Sequence, residues 1–565
     1  MNIFRTSNDL NLYKVTVALV CIIIGFVSLI THHQLTLFPY LQIGFYFSAI
    51  ILTVVFMKID SVRLFLPVVV ALSLLYRMYT LLFPSSLVGV DADALAYHVM
   101  TLIQGGRIES MDTSYTQIPF FHLASGIFSQ ISGFSPSGGL IIFSILSGLT
   151  FPLIAYIFAE KLTDSKTELV GFISAVLAGF SAISMRFGFW FSAQTLGVIF
   201  WAFVIYALIR YSETKYKKDL VLLIALIIGG LFTHKLPMPA VFALIFSFSL
   251  LRAFNTIVSM ESIGEVLQRR NANYGFIFSL LIIATVLLFL YLIYISNYIG
   301  PIVFKITSLL LTDTIQLSPS PQVPTEQAKI ALSGIKGILM RRGHGLILLP
   351  ISGLSWLYVF YKERESYSGS IILAASAASV FFVGMGVVNP ETAQPSRLMN
   401  LAEPVVVVLV GYTLIKFFSD KTNKSVTLVV ISVILFAQFF SVAVAVDYPN
   451  VNRQYLHSQE SAAKNFGYER VPNAVYTDQF YAYTTTSSNL TVGSGVNISK
   501  YYRISSGLTN GTLLSKNYRH ILYRTDVEVF RFEYGRYKLT WNPQRLLETE
   551  YSKIYTNKKI NLYNR

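Results

Sequence analysis

A succession of long apolar stretches between Val15 and Val446 limits what this chain can fold into. A hydrocarbon core about 30 Å thick takes about 20 mostly apolar residues to cross as helix. At that depth no water satisfies backbone groups, so a crossing segment of this kind is helical. The rule predicts about thirteen helices, near residues 14–31, 36–57, 64–84, 137–159, 168–185, 191–210, 219–233, 238–254, 274–296, 345–361, 371–388, 401–417 and 425–446. The chain is 54% hydrophobic and 13% charged, with mean hydropathy +0.57. These values exclude a soluble enzyme on a single anchor and predict an all-α polytopic membrane protein.

Lysine and arginine set the orientation, since they accumulate in cytoplasmic loops. One set of loops holds Arg5, Lys14, Lys58, Arg63, Lys161, Lys166, Arg210, Lys215, Lys217, Lys218, Arg252, Arg269, Arg270, Lys362, Arg364, Lys416, Lys421 and Lys424. The other set is poorer for its length: the 85–136 segment has Arg107 alone. The N-terminus is therefore expected in the cytoplasm of a multi-pass cell-membrane protein. An odd helix count then puts the C-terminal tail outside. The net charge of +15 is accounted for by these loops and the tail, with anionic lipid as the partner rather than nucleic acid.

Ionisable residues gather on the outer side: Arg77, Asp91, Asp93, His98, Arg186, His234, Lys235, Arg341, Arg342, His344, Glu391, Arg397 and Glu403. Such groups cost roughly 2.5–3.5 kcal/mol at a helix centre even on the lenient scale. Their collection on one face points to chemistry there. The lone cysteine, Cys21, forms no intrachain disulfide. The first helix reads as a retained signal anchor.

The polar tail, 447–565, is rich in Tyr, Asn, Ser and Thr. Its short runs Ala474–Tyr476, Leu490–Val492 and His520–Tyr523 predict strands of a small α/β or β domain. Asn489, Asn497 and Asn510 open N-glycosylation sequons compatible with an external location.

Two external loops, 85–136 and 297–344, are too long to be mere connections. The first opens with Val88-Gly-Val-Asp-Ala-Asp-Ala-Leu-Ala-Tyr-His98. Leu95, Val99, Leu102 and Ile103 then recur at helical spacing, and Gly105-Gly106 suits the helix end. This predicts an amphipathic surface helix. A second follows Pro119, with Phe120, Leu123, Ile127, Phe128 and Ile131. Asp91 or Asp93 can simply cap the first of these helices.

An acidic motif directly after an early span, followed by an aromatic and a helix ending in glycine, resembles the first external loop of GT-C glycosyltransferases. Tyr115-Thr-Gln-Ile-Pro-Phe-Phe-His-Leu123 is similar to their aromatic segment, and Phe128 to Phe134 to the segment that returns to the membrane. Ala178-Gly-Phe-Ser181 and Arg186 to Gln194 resemble the second external turn and the helix after it. The resemblance is to the protein-mannosyl and aminoarabinose-transferase group. It implies two added helices at 1–63, a catalytic membrane core at 64–300, a variable module at 301–446 and an external domain at 447–565. It also implies a polyprenyl-phosphate-linked sugar as donor. The acceptor would be a lipid-linked glycan, a glycoprotein or a protein, reached on the non-cytoplasmic face. Many relatives carry Asp-Glu where this chain has Asp91-Ala-Asp93, which leaves open which aspartate is catalytic. The tail lacks a Trp-Trp-Asp motif, which argues against transfer of a whole oligosaccharide to asparagine.

The chemistry is consistent with these residues. Glycosyl transfer passes through an oxocarbenium-like state, and a carboxylate can take the acceptor proton. The leaving phosphate needs cations, and arginine binds phosphate oxygens bidentately. Arg77, Arg397, Arg341 and Arg342 are the candidates. For Arg341 and Arg342, snorkelling to lipid headgroups competes with substrate binding. Asp91, Asp93 and His98 form a candidate set for Mn or Mg, though some branches of the resembled family work without metal. No Walker, zinc or Rossmann motif is present. The competing readings are a transporter or flippase, and a polymerase or ligase of lipid-linked glycans. A transporter is expected to place charge at the midplane, whereas here it sits at helix ends and in loops.

Overall fold

The computed structural model describes residues 7–32, 38–59, 62–82, 92–111, 114–163, 168–189, 192–258, 274–295, 328–330, 335–388, 395–417, 424–447, 456–478, 481–482, 501–503, 518–525, 527, 529–532, 535–539, 542–557 and 559–565, some of them by backbone alone. The expected Leu490–Val492 strand and the three sequons fall outside these residues.

Each expected apolar segment is helical over most of its described residues. In chain order the helices begin with α1 (Ser7–His32), α2 (Phe38–Ile59) and α3 (Val62–Leu82). The first loop carries α4 (Ala92–Gly105), α5 (Phe120–Ser132) and the single turn α6 (Pro136–Gly139). Then come α7 (Ile141–Thr163), α8 (Glu168–Gly179), α9 (Ala182–Phe189), α10 (Ala193–Thr214), α11 (Lys217–Leu231), α12 (Pro237–Val258) and α13 (Tyr274–Leu290). The later body adds α14 (Ile335–Glu363), α15 (Tyr367–Val388), α16 (Pro395–Phe417) and α17 (Lys424–Asp447). Among the described residues six helices are long and apolar enough to cross a membrane, or seven if one bent pair is a single span.

That bent pair corrects the sequence reading. The span expected over 168–185 is two helices, α8 and α9, meeting at 49°. Gly179 ends the first and Ser181 precedes the second. The segment expected to start at 137 likewise begins with the separate turn α6, capped by Ser135 Oγ accepting from Gly138 N–H at 3.1 Å.

The body is centred on α16, in which every residue from Leu398 to Ile415 is buried. It packs on α7, α8, α9, α10, α14 and α15. Lipid is as apolar as leucine, so close packing rather than water exclusion must hold such helices together. Small residues allow it. Ala374, Ala375 and Ala378 of α15 are buried, and Gly411 brings α16 so near α8 that a Cβ there would meet Ser174 Oγ at 2.4 Å.

The two ends of the body differ. At one end Lys161 pairs with Glu213 at 2.5 Å and Arg210 with Asp219 at 3.0 Å. There Ser368 Oγ donates to Glu213 at 2.8 Å and Tyr412 Oη to Glu363 at 2.6 Å. These contacts gather the ends of α7, α10, α14 and α16 with the starts of α11 and α15. The starts of α10, α14 and α16 consequently share the opposite end.

The described tail forms a five-stranded mixed sheet. Its strands are β2 (Val475–Thr477), β3 (Tyr501–Arg503), β4 (His520–Arg524), β7 (Ser552–Thr556) and β8 (Ile560–Asn564), in the order β3-β2-β4-β8-β7. Helices α18 (Ser458–Arg470) and α19 (Pro543–Glu550) accompany it. A second sheet joins the late loop to the tail. In it β1 (Ala328–Ile330) pairs antiparallel with β6 (Gly535–Leu539), Ala328 opposite Leu539, and β6 pairs with β5 (Val529–Phe532).

Candidate active site at one end of the helical body

The first loop packs onto the body through its apolar face. Ala92, Leu95, Ala96 and Val99 of α4 bury against Phe121, Leu140 and Phe143, and against Ala193 and Leu196 of α10. Helix α4 ends as its glycines predict, with Gly106 in the left-handed region at φ +63°. The opposite face of α5 stays apolar and open: Ile127, Ile131 and nearby Phe134 are exposed. That pattern suits a helix lying in a headgroup layer.

Asp91 lies outside the described residues. Asp93 is in the first turn of α4, with its backbone alone described. One turn on, His98 lies in a ring cluster with Tyr97, Tyr115 and His122, the two imidazoles being 5.8 Å apart. His122 has no exposed surface, and neither ring nitrogen has a hydrogen-bond partner. Desolvation, then the neighbouring His98, pushes its pKa down to about 3. Burial also lowers the pKa of His98, partly offset by a hydrogen bond to the Met111 backbone. Both rings are thus neutral at neutral pH. Among the described residues no three His, Cys, Asp or Glu side chains meet in a metal-binding group. Only His98 of the expected metal set has a described side chain.

The second part of the site surrounds the α8–α9 break. Arg77 of α3 is completely buried. Its Nη1 donates to Ser73 Oγ at 2.5 Å, to the Ser73 carbonyl at 3.1 Å and to the Gly179 carbonyl at 3.0 Å, while Nη2 reaches Ser184 Oγ at 2.7 Å. Gly188 and Gly148 leave room for its stem: a Cβ at Gly188 would lie 3.1 Å from Arg77 Nε, and one at Gly148 3.3 Å from its Cδ. Arg77 Nη1 and Nη2 thus bond to protein oxygens inside the bundle.

On the far side of the break, Glu403 of α16 is buried. Its Oε2 accepts from Ser181 Oγ and, at 3.0 Å, from Ser184 N–H. Gln438 of α17 accepts from Ala182 N–H at 2.6 Å. Arg186 of α9 is half-buried and interacts electrostatically with His344 of α14. His344 is buried, its backbone N–H 3.4 Å from Ser441 Oγ of α17, and both its ring nitrogens lack partners. Arg341 and Arg342 lie a turn or less before His344 in α14, and Arg397 lies in the first turn of α16, all three described by backbone alone. Asn400, one turn after Arg397, is buried with neither amide atom paired. Glu391 is outside the described residues. His234 lies just before α12, its Nδ1 accepting from Leu236 N–H at 3.2 Å.

The loop part and the bundle part are joined by one short piece of chain. Ala193 packs in the same cluster as Ala92, and Thr195 Oγ1 donates to the Phe187 carbonyl at 2.8 Å. Thus α10, the helix whose start shares a cluster with α4, follows α9, which bears Arg186. Sequence reasoning assigned no role to Gln438, Ser181, Asn400 or His122. Polar residues inside otherwise apolar helices were the available signal for the first three.

Residues 117–289, less than half of the chain, match the family described as dolichyl-phosphate-mannose-protein mannosyltransferase. The archaeal oligosaccharyltransferase AglB from Archaeoglobus fulgidus, in complex with an inhibitory peptide and a dolichol-phosphate, is similar in structure. It is 10% identical with TM-score 0.51, over 82% of this chain and 69% of that one. ArnT from Cupriavidus metallidurans bound to undecaprenyl phosphate is 12% identical with TM-score 0.45, over 88% of this chain and 97% of that one. Another structure of the Archaeoglobus enzyme, a complex with Zn and sulfate, is 12% identical with TM-score 0.45, over 82% and 68%. No curated protein sequence matches the chain. These likenesses give the chain the fold of the Archaeoglobus enzyme and a segment similar to a membrane mannosyltransferase family.

Proposed function

We propose that this chain transfers a sugar from a polyprenyl-phosphate donor to a glycan, lipid-linked glycan or protein acceptor on the non-cytoplasmic face. The observation that carries the reading is the joining of the two parts: α4, which bears Asp93, shares a cluster with the start of α10, the helix that follows α9 and its Arg186, and Arg186 interacts electrostatically with His344. Arg341, Arg342 and Arg397 occupy the starts of α14 and α16 at the same end. The family matched at residues 117–289 is described by a dolichyl-phosphate-mannose donor, and two similar structures hold polyprenyl phosphates.

In this reading Asp93 takes the proton of the acceptor hydroxyl, with Asp91 supporting it. The acceptor oxygen bonds to the anomeric carbon as the bond to the phosphate oxygen breaks. The electron pair of that bond stays on the phosphate, where Arg186, Arg397, Arg341 and Arg342 hold the charge. Arg77 serves behind them as a support of α9. Mn or Mg bound by Asp91, Asp93 and His98 would add positive charge beside the phosphate.

The test is transfer from a purified polyprenyl-phospho-sugar, with donor affinity measured separately. Asp93→Asn keeps size and hydrogen bonding but removes the base, so turnover should fall about 10²–10⁴-fold while donor binding survives. Arg397→Ala should weaken donor binding, or lower the rate if the contact tightens only as the phosphate leaves. Wild-type turnover in folded Asp93→Asn and Asp91→Asn alike would refute the carboxylate mechanism and bring the transporter reading forward.

A further inference from the structure

Breaking a helix frees carbonyls at one new end and N–H groups at the other. Inside a membrane body these have no water to turn to. Here both ends are satisfied by side chains from other helices. At the end of α8, the Gly179 carbonyl accepts from Arg77 and, at 3.2 Å, from Ser73 Oγ. The Phe180 carbonyl accepts from Tyr46 Oη of α2 at 3.1 Å. At the start of α9, Ala182 N–H goes to Gln438, and Ser184 N–H to Glu403 and to Ser181 Oγ at 3.2 Å. The charges have the sign each pole requires. An arginine sits at the negative, C-terminal end of α8 and a glutamate at the positive, N-terminal end of α9. The far end of α9 is tied separately, by Ser144 Oγ donating to the Gly188 carbonyl at 2.5 Å and by Thr195.

Arg186 lies between these two sets of ties. We infer that Glu403 and Gln438 are positioning residues for Arg186: by capping α9 from α16 and α17, they hold the break open and keep Arg186 beside His344. They come from the late part of the chain, more than two hundred residues beyond the break. Residues of this distal part thereby set the geometry of a cation in the core. Without their acceptors the freed amides of α9 are best satisfied by rewinding the turn onto α8, which straightens the pair and swings Arg186 away. The structural inference stands by itself. Its consequence for the donor rests on the phosphate role proposed for Arg186.

Two measurements separate these. The first is geometric: in the full-length protein carrying Cys21→Ala, Arg186→Cys and His344→Cys, crosslinking with a short bifunctional thiol reagent reports how close α9 lies to α14. Adding Glu403→Leu should cut the yield at least about threefold, whereas Glu403→Gln, which keeps an acceptor oxygen, should restore it. Gln438→Leu and Gln438→Glu should behave as the same kind of pair, so that a misfolded Glu403→Leu does not decide the matter. Unchanged crosslinking in both leucine variants overturns the inference. The second is kinetic, without the cysteines. Glu403→Leu should raise donor KM about tenfold with a smaller change in kcat, and by less than about twofold when Arg186 is already alanine. Equal effects in both backgrounds overturn positioning through Arg186. If crosslinking responds as expected while Arg186→Ala leaves donor KM unchanged, the phosphate assignment fails and the positioning stands.

Discussion

At the scale of single residues, buried polar groups mark where this chain departs from a simple apolar bundle. His122 is the plainest case, since it is fully buried and neither nitrogen is paired. One of those nitrogens must carry a proton with nothing to accept it, which costs about 1–3 kcal/mol. His122→Phe keeps a ring of similar shape and removes the unmatched donor, so its melting temperature at pH 7.5 should match or exceed wild type. Acid should reveal the same residue differently. Its folded pKa, pushed down to about 3, lies below the ordinary 6.5. Unfolded chains therefore bind the extra proton first as pH falls. The stability contributed by keeping this ring neutral is complete above about pH 6.5 and declines from there toward pH 3. The lowered pKa of His98 acts in the same direction. Melting curves of detergent-solubilised protein between pH 7.5 and 4.5 should fall more steeply for wild type than for His122→Phe. Parallel slopes would mean that the ring is solvated.

At the scale of elements, what was legible depended on distance along the chain. The apolar helices were readable because each announces itself within about 20 residues. The ends of α4 and the strands β2 and β4 were readable from local turn chemistry and alternation. The α8–α9 break showed only through the resemblance of Ala178-Gly-Phe-Ser181 to a turn; the apolar pattern ran one span through it, because Gly179-Phe180-Ser181 interrupts neither apolarity nor length enough. What makes the break affordable lies elsewhere, in Tyr46, Arg77, Glu403 and Gln438. Arg77 stood out by its apolar surroundings, but its partner carbonyl is 102 residues away and no local pattern points to it. The tail behaves similarly. Arg524 of β4 is buried and grips Asp478 through Nε and Nη2, both at 2.9 Å, with Glu460 of α18 at 3.4 Å from Nη1. Removing one partner of a buried ion pair strands the other charge, at about 3–5 kcal/mol. Arg524→Leu should therefore open the five-stranded sheet, seen as faster hydrogen exchange in β2, β4 and β8. Lys553→Ala, at an exposed pair with Glu548, should change exchange little.

At the scale of the whole molecule, the proposed transfer requires that the first loop and the starts of α10, α14 and α16 face one compartment, which the tail is expected to share. Contacts within the body already relate several of these. Phe120 N–H donates to the Phe232 carbonyl at 3.1 Å, which puts the first loop beside the α11–α12 turn. The pairing of β1 with β6 ties the late loop to the tail. At the other end lie Lys161, Arg210, Lys215 and Arg252, with Lys215 and Arg252 both against the ring of Tyr367. A cluster of lysine and arginine at one end is the pattern of a cytoplasmic face. The bent α8–α9 pair makes the assignment a real question, because its crossing or returning changes the parity of everything after it. We expect it to cross, since α10 starts at the site end and finishes at the basic end. Cysteines at Asp112 and Ser487, introduced one at a time into Cys21→Ala protein in intact cells, should both react with an impermeant thiol reagent, and a cysteine at Lys217 should react after permeabilisation alone. Labelling of position 112 without 487 would put the tail in the cytoplasm and the count of crossings between them wrong by an odd number. The tail would then face away from the compartment in which donor and acceptor are proposed to meet.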